Sequence, residues 1–166
     1  MATVSRIVDI PPPRRGRREF AEDTGVRLGL HIKAAEQAMM AAKTEALRSF
    51  GVTVAQYATM LSLYYVPEQS SAQLARAAAV TPQTMATVIA KLEQKRLVTR
   101  HPSSDHAKVL SASLTPEGEV LVLRADEAAR RIEQCMAEAF SAKEREQLTE
   151  MLERVTALLR GSLNAE

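Results

Sequence analysis

Two groups of side chains are of types that can do chemistry. The first is "RHPSSDHAK", Arg100 to Lys108, which sets His101, Asp105 and His106 close together. Imidazoles and carboxylates bind metals, and histidine is also the usual general base near neutral pH. Yet the spacing fits no strong metal template, no cysteine stands nearby, and a loop between two strand-like runs orients ligands poorly. No metal or other cofactor is expected there. The second group lies in "VTPQTMATVIAKLEQKR". At helical spacing Met85, Val88, Ile89 and Leu92 form one stripe, and Gln83, Thr84, Thr87 and Lys91 face the other way. Amides and hydroxyls on an exposed helix can bond base edges in the major groove, and lysine can meet phosphate or guanine. An ordinary solvated helix face has the same composition, so the surrounding elements must decide.

Residues 1–22, with "PPPRRGRREF", are too rich in proline and arginine to build a core and read as a mobile basic tail. A helical pattern follows, capped by Thr24, carrying Val26, Leu30, Ala34, Ala38, Met39 and Ala42, and closed after Leu47 by a left-handed Gly51. Thr53 caps "VAQYATMLSLYY", with Val54, Tyr57, Met60, Leu61 and Tyr64 on its apolar face and Pro67 as its stop. Ser70 or Ser71 caps a short helix, "AQLARAA". Thr81 as N-cap and Pro82 at the first helical position then start the helix of interest.

Two strand-like runs come next, "LVTRH" and "KVLSASLT", the second with a period of two, and "PSSD" is the tip between them. Thr115–Pro116, with Glu117 and Glu119 in the first turn, opens a long helix to about Phe140. Ser141 and Glu144 form a capping box for the last helix, through Met151, Leu152, Val155 and Leu159. The expected fold is mainly α with a small antiparallel β-hairpin. Two short helices and the hairpin make a winged helix-turn-helix, flanked by long N- and C-terminal helices.

Charge supports a polyanion on one side. From Pro82 to Lys108 five basic residues face two acidic ones, and from Glu117 onward eleven acidic residues face seven basic ones. The single cysteine, Cys135, excludes an internal disulfide and, beside Ile132, Met136 and Ala139, reads as a small buried apolar residue. No run of 18 apolar residues and no apolar leader is present, so no membrane partner is expected and the compartment is cytoplasmic. Phosphate loops, G-x-S-x-G and H-E-x-x-H are all missing, so the chain is not read as an enzyme.

"TVAQYATMLSLYY", "SSAQLARAAAVTPQTMATVIAKLEQKRLVTR" and "LSASLTPEGEVL" resemble the MarR family of bacterial transcription regulators, from about Thr24 to Leu159. The resemblance implies a single unit over 23–166 in which 24–50 and 116–163 are dimerisation helices and 52–115 is the DNA-binding winged domain. It implies a homodimeric regulator, more often a repressor, on a pseudo-palindromic double-stranded operator. Thr81, Gln83, Thr84, Thr87 and Lys91 would enter the major groove. The wing residues Arg100, His101, His106 and Lys108 would lie near the minor groove or backbone, with Arg76 and Arg96 on phosphates. A small aromatic effector would sit between the dimerisation helices and the winged domain, with His31, Met60 and Tyr64 as candidate lining residues, although each singly also reads as core. A winged-helix protein–protein adaptor without specific DNA binding is the alternative.

The sequence departs from the family pattern at several points. Arg96 stands where glycine usually ends the recognition helix, and Ala79 replaces the glycine of the preceding turn. Ala86 and Thr87 stand where serine and arginine are frequent, and "DHAK" replaces the wing's Asp-x-Arg, leaving lysine where arginine would make a planar two-pronged contact.

Overall fold

The computed structural model describes residues 27–102 and 110–163. The basic tail, the Thr24 cap and the wing tip with Asp105, His106 and Lys108 lie outside the described residues. The order is α1 (Leu28–Leu47), a 3-10 turn (Arg48–Phe50), α2 (Val54–Tyr65), β1 (Gln69–Ser70) and α3 (Ser71–Ala77). Then follow α4 (Pro82–Gln94), β2 (Val98–Pro102), β3 (Leu110–Leu114), α5 (Pro116–Glu138) and α6 (Ala142–Leu163).

Five of the six described helices start on the expected polar caps, whereas α1 starts at Leu28, after Arg27, with no side-chain cap bond. Thr53 Oγ1 accepts the Gln56 amide at 3.2 Å while Gln56 Oε1 accepts the Thr53 amide at 3.1 Å, a reciprocal box. Ser70 and Gln73 repeat it at α3, and Ser141 with Glu144 repeats it at α6. The amide and hydroxyl bonds from Ser141 hold the Glu144 carboxyl below its ordinary pKa. Thr81 and Thr115 cap helices that open on proline. Gly51 closes the 3-10 turn in the left-handed region, at φ 66°.

The sheet differs from a plain hairpin. β1 adds a third strand, in the order β1-β3-β2, with every pair antiparallel. Ser111 is therefore covered on both sides, by Ser70 and by His101, and is buried next to buried Ala112. The alternation expected along this strand is lost, and Leu110 stays exposed. Gln69 is buried because its Nε2 donates to the carbonyls of Ser62 and Val66 at 3.1 and 2.8 Å, which ties β1 to the end of α2.

The core gathers Leu47, Met60, Leu63, Leu74, Ile89, Leu92 and Val122. The buried face of α2 is turned from the one expected: Leu63 is inside and Tyr64 is 38% exposed, edge-on to Tyr65. Gln56 and Thr59 fill the rest of that face, and Val54 and Leu61 are only partly buried. One polar network crosses it. Tyr57 donates to Asp126 Oδ1 at 2.7 Å, and Arg130 Nε donates to Oδ2 at 2.6 Å. Burial pushes the Tyr57 hydroxyl pKa well up, as does its bond to Asp126. Burial also pushes Asp126 up, but the bonds from Arg130 and Tyr57 outweigh it and hold the carboxyl below its ordinary range.

That direction fixes a pH dependence. A carboxyl with a depressed folded-state pKa adds stability above its ordinary pKa of about 3.9 and loses it as pH falls through the folded value. Asp126→Asn should therefore lower the unfolding temperature at neutral pH. It should also narrow the difference between neutral pH and about pH 3, as read by circular dichroism melts.

Candidate nucleic-acid interface

The recognition helix is held at both ends by the same device. At the end of α3, Val80 N–H donates to Ala75 O and Ala79 N–H to Arg76 O. At the end of α4, Leu97 N–H donates to Leu92 O at 3.0 Å and Arg96 N–H to Glu93 O at 2.9 Å. Both are Schellman closures, which put one residue in the left-handed region. Those residues are Ala79 at φ 52° and Arg96 at φ 58°, positions that favour glycine. The second closure is clamped to α5. Thr115 Oγ1 donates to Arg96 O at 2.8 Å, and Thr115 N–H donates to Leu97 O at 3.1 Å. A Cβ on Gly118 would lie 2.1 Å from that same Leu97 oxygen, so only glycine fits. The "LTPEG" run thus seats the end of the recognition helix.

Met85, Ile89 and Leu92 are buried and Val88 is half-buried, while Thr81, Gln83, Thr84, Thr87 and Lys91 are all exposed. Gln83, Thr84, Thr87 and Lys91 span an arc of about 100° on the opposite side. Their hydroxyls are already engaged: Thr81 and Thr84 bond each other at 2.9 Å, and Thr87 donates to Gln83 O at 3.1 Å. A hydroxyl so engaged keeps acceptor capacity. The side chains of Gln83 and Lys91 make no hydrogen bond or ion pair among the described residues, nor do those of Arg76 and Arg96.

Two cations are held. Lys95 Nζ donates to Gly51 O at 2.5 Å and Gln56 Oε1 at 3.0 Å, tying the end of α4 to the start of α2. Arg100 Nε donates to Glu93 Oε2 at 3.0 Å, and its Nη2 bonds the same oxygen. The bond to Glu93 raises the Arg100 pKa further, so it stays charged. His101 is half-buried, with Nε2 3.0 Å from Ser113 Oγ. The sequence reading missed Glu93 and Lys95 as partners.

His31, Met60 and Tyr64 are not among the residues lining the open clefts described below. Met60 is fully buried in the core, Tyr64 stacks edge-on against Tyr65, and His31 is half-buried on α1. Open clefts lie beside the α1–α2 connection, between α2 and the outer face of α4 at Thr84, Thr87 and Lys91, and along α6. Met40, Thr44, Arg48 and Val52 line one, and Phe50, Val120, Leu121 and Arg124 another. Cys135 is exposed rather than buried, because α5 leaves the core after Ala129.

Residues 50–108 match the model of the MarR family. The HTH-type transcriptional repressor Rv2887 of Mycobacterium tuberculosis is 36% identical over 110 residues, 66% of this chain and 79% of the relative. The chain belongs to the MarR family. Its members are transcription regulators and not enzymes, and its winged helix is of the DNA-binding kind. The crystal structure of Rv2887 in complex with p-aminosalicylic acid has a TM-score of 0.61 at 31% identity, covering 79% of this chain and 99% of that one. The Staphylococcus aureus MepR–DNA complex has a TM-score of 0.74 at 22% identity, covering 78% and 96%, a likeness of fold. Among the described residues no helix is long and apolar enough to cross a membrane.

The left-handed Arg96 makes an opposed pair of effects. Arg96→Gly should raise stability by up to about 1 kcal/mol by relieving the backbone. The same change should flatten the slope of log affinity against log salt for duplex DNA by about 0.9, the share of one phosphate contact. Denaturant titration and a fluorescence-anisotropy salt series read the two separately.

Proposed function

We propose that the chain represses transcription as a homodimer that binds duplex DNA through α4 and the wing. The observation that carries this reading is the outward face of α4, where Gln83 and Lys91 stand exposed, with no side-chain partner among the described residues, on a helix anchored by its other side. Gln83 is the best base reader, since a primary amide bonds adenine N6 and N7 together. Thr81, Thr84 and Thr87 contact base edges or backbone beside it. Lys91, Arg76 and Arg96 take phosphates. His101, His106 and Lys108 belong to the wing contact, which Arg100 joins only to the extent that Glu93 releases it.

A second copy is supported by α6. Leu148, Met151, Leu152 and Leu159 are exposed, and with half-buried Val155 they form one stripe at helical spacing. Contiguous apolar surface of this kind marks an interface. Arg145 hydrogen-bonds the carbonyls of Ala137 and Phe140 at 2.6 and 2.7 Å, which caps α5 and fixes where α6 departs. Two recognition helices related by a two-fold axis would read half-sites about 10–10.5 base pairs apart, or a multiple of that.

A small aromatic effector releases the DNA by favouring another spacing of the two helices, limited by its differential affinity for the two states. The relative solved with p-aminosalicylic acid supports this class of ligand. The clefts beside the α1–α2 connection are the candidate sites, because they lie where the flanking helices meet the winged domain.

Light scattering should give twice the 18.2 kDa chain mass. Leu152→Lys should shift the protein toward monomer and weaken operator binding, because each half-site would then be held alone. A monomeric wild type, or binding that salt does not weaken, would contradict the reading.

A further inference from the structure

The ion pair between Glu93 and Arg100 is not needed to hold the wing. β2 is fixed to β3 by its ladder, and its root is fixed by the Leu97 turn on Thr115. Both side chains are partly open to solvent, at 39% and 35% exposure, where such pairs contribute little to folding. Its effect on charge is larger. Arg100 turns its Nε–H and an Nη2–H onto a single oxygen, Glu93 Oε2, a charge-assisted contact of the kind it would make with one phosphate oxygen. Glu93 also lies in the chain between Lys91 and Arg96, cations without an ion pair among the described residues.

We propose that Glu93 is an internal competitor for DNA, holding the Arg100 guanidinium as a phosphate would and so removing one cation from the surface offered to a duplex. This rests on the DNA-binding reading above. Phosphate contacts add affinity for every sequence alike, whereas base contacts discriminate. A carboxylate that occupies one phosphate-binding group therefore lowers non-specific affinity and leaves the reading by Gln83 untouched. Glu93 acts on specificity through Arg100, without touching a base.

The test uses the wild type, Glu93→Gln, Arg100→Gln and the double variant, with a short duplex of mixed sequence titrated over a salt series by fluorescence anisotropy. Glu93→Gln should bind more tightly at low salt, with a log–log slope steeper by about 0.9, the value for one freed cation. The double variant should lose that gain, and Arg100→Gln should change the slope far less in the wild-type background than beside Glu93→Gln. An unchanged slope in a folded Glu93→Gln protein overturns the proposal. So does a gain that survives in the double variant, since Glu93 would then act by plain repulsion. Wild-type protein that binds no duplex at low salt would instead overturn the DNA reading itself, and this proposal with it.

Discussion

The backbone of Arg96 and Leu97 is the joint on which the rest depends. Its amides close α4 onto Glu93 and Leu92, and its carbonyls receive the hydroxyl and amide of Thr115. Gly118 lets α5 approach until no side chain would fit. One turn therefore sets the end of the recognition helix, the root of the wing and the start of the long helix together. Interiors packed this closely do not deform smoothly, so the turn couples the start of α5 closely to the end of α4. Tyr57 and Asp126 add a second tie between the same lobe and α5, through a buried hydrogen bond.

The outer surface is defined by what remains uncommitted after folding. Lys95 is used as a structural strut and Arg100 is matched by Glu93, while Lys91, Arg76 and Arg96 have no side-chain partner among the described residues. The modest net charge of +2 thus understates the field near α4, and the basic residues there are not interchangeable. Arg96 stands out among them, since it is an exposed cation that accepts a left-handed backbone.

The helices were legible because their starts carry local chemistry. Thr53, Ser70, Thr81, Thr115 and Ser141 each act within three or four residues, the range over which a sequence can be read directly. The left-handed turn at Arg96 was suggested only by the resemblance, which has glycine there. β1 was not, because a two-residue strand has no period and is defined by its partner. The choice of Leu63 over Tyr64 is set by what α2 packs against, and both fit an apolar face. Cys135 looked buried from its neighbours, but a helix with an apolar stripe is buried only where something covers it. Of the candidate site, the outward face of α4 was readable from its period. The pairing of Glu93 with Arg100 spans a reversal of the chain and leaves no trace in local spacing.

The central claim is that two copies of α4, related by a two-fold axis, read DNA through Gln83 and its neighbours. Selection of bound sequences from a random duplex pool tests it most directly. The account predicts an inverted-repeat consensus with half-sites about one helical turn apart or a multiple of that, whose symmetric positions lose information in Gln83→Ala. Enrichment of no sequence, or a consensus unchanged by that substitution, would contradict it.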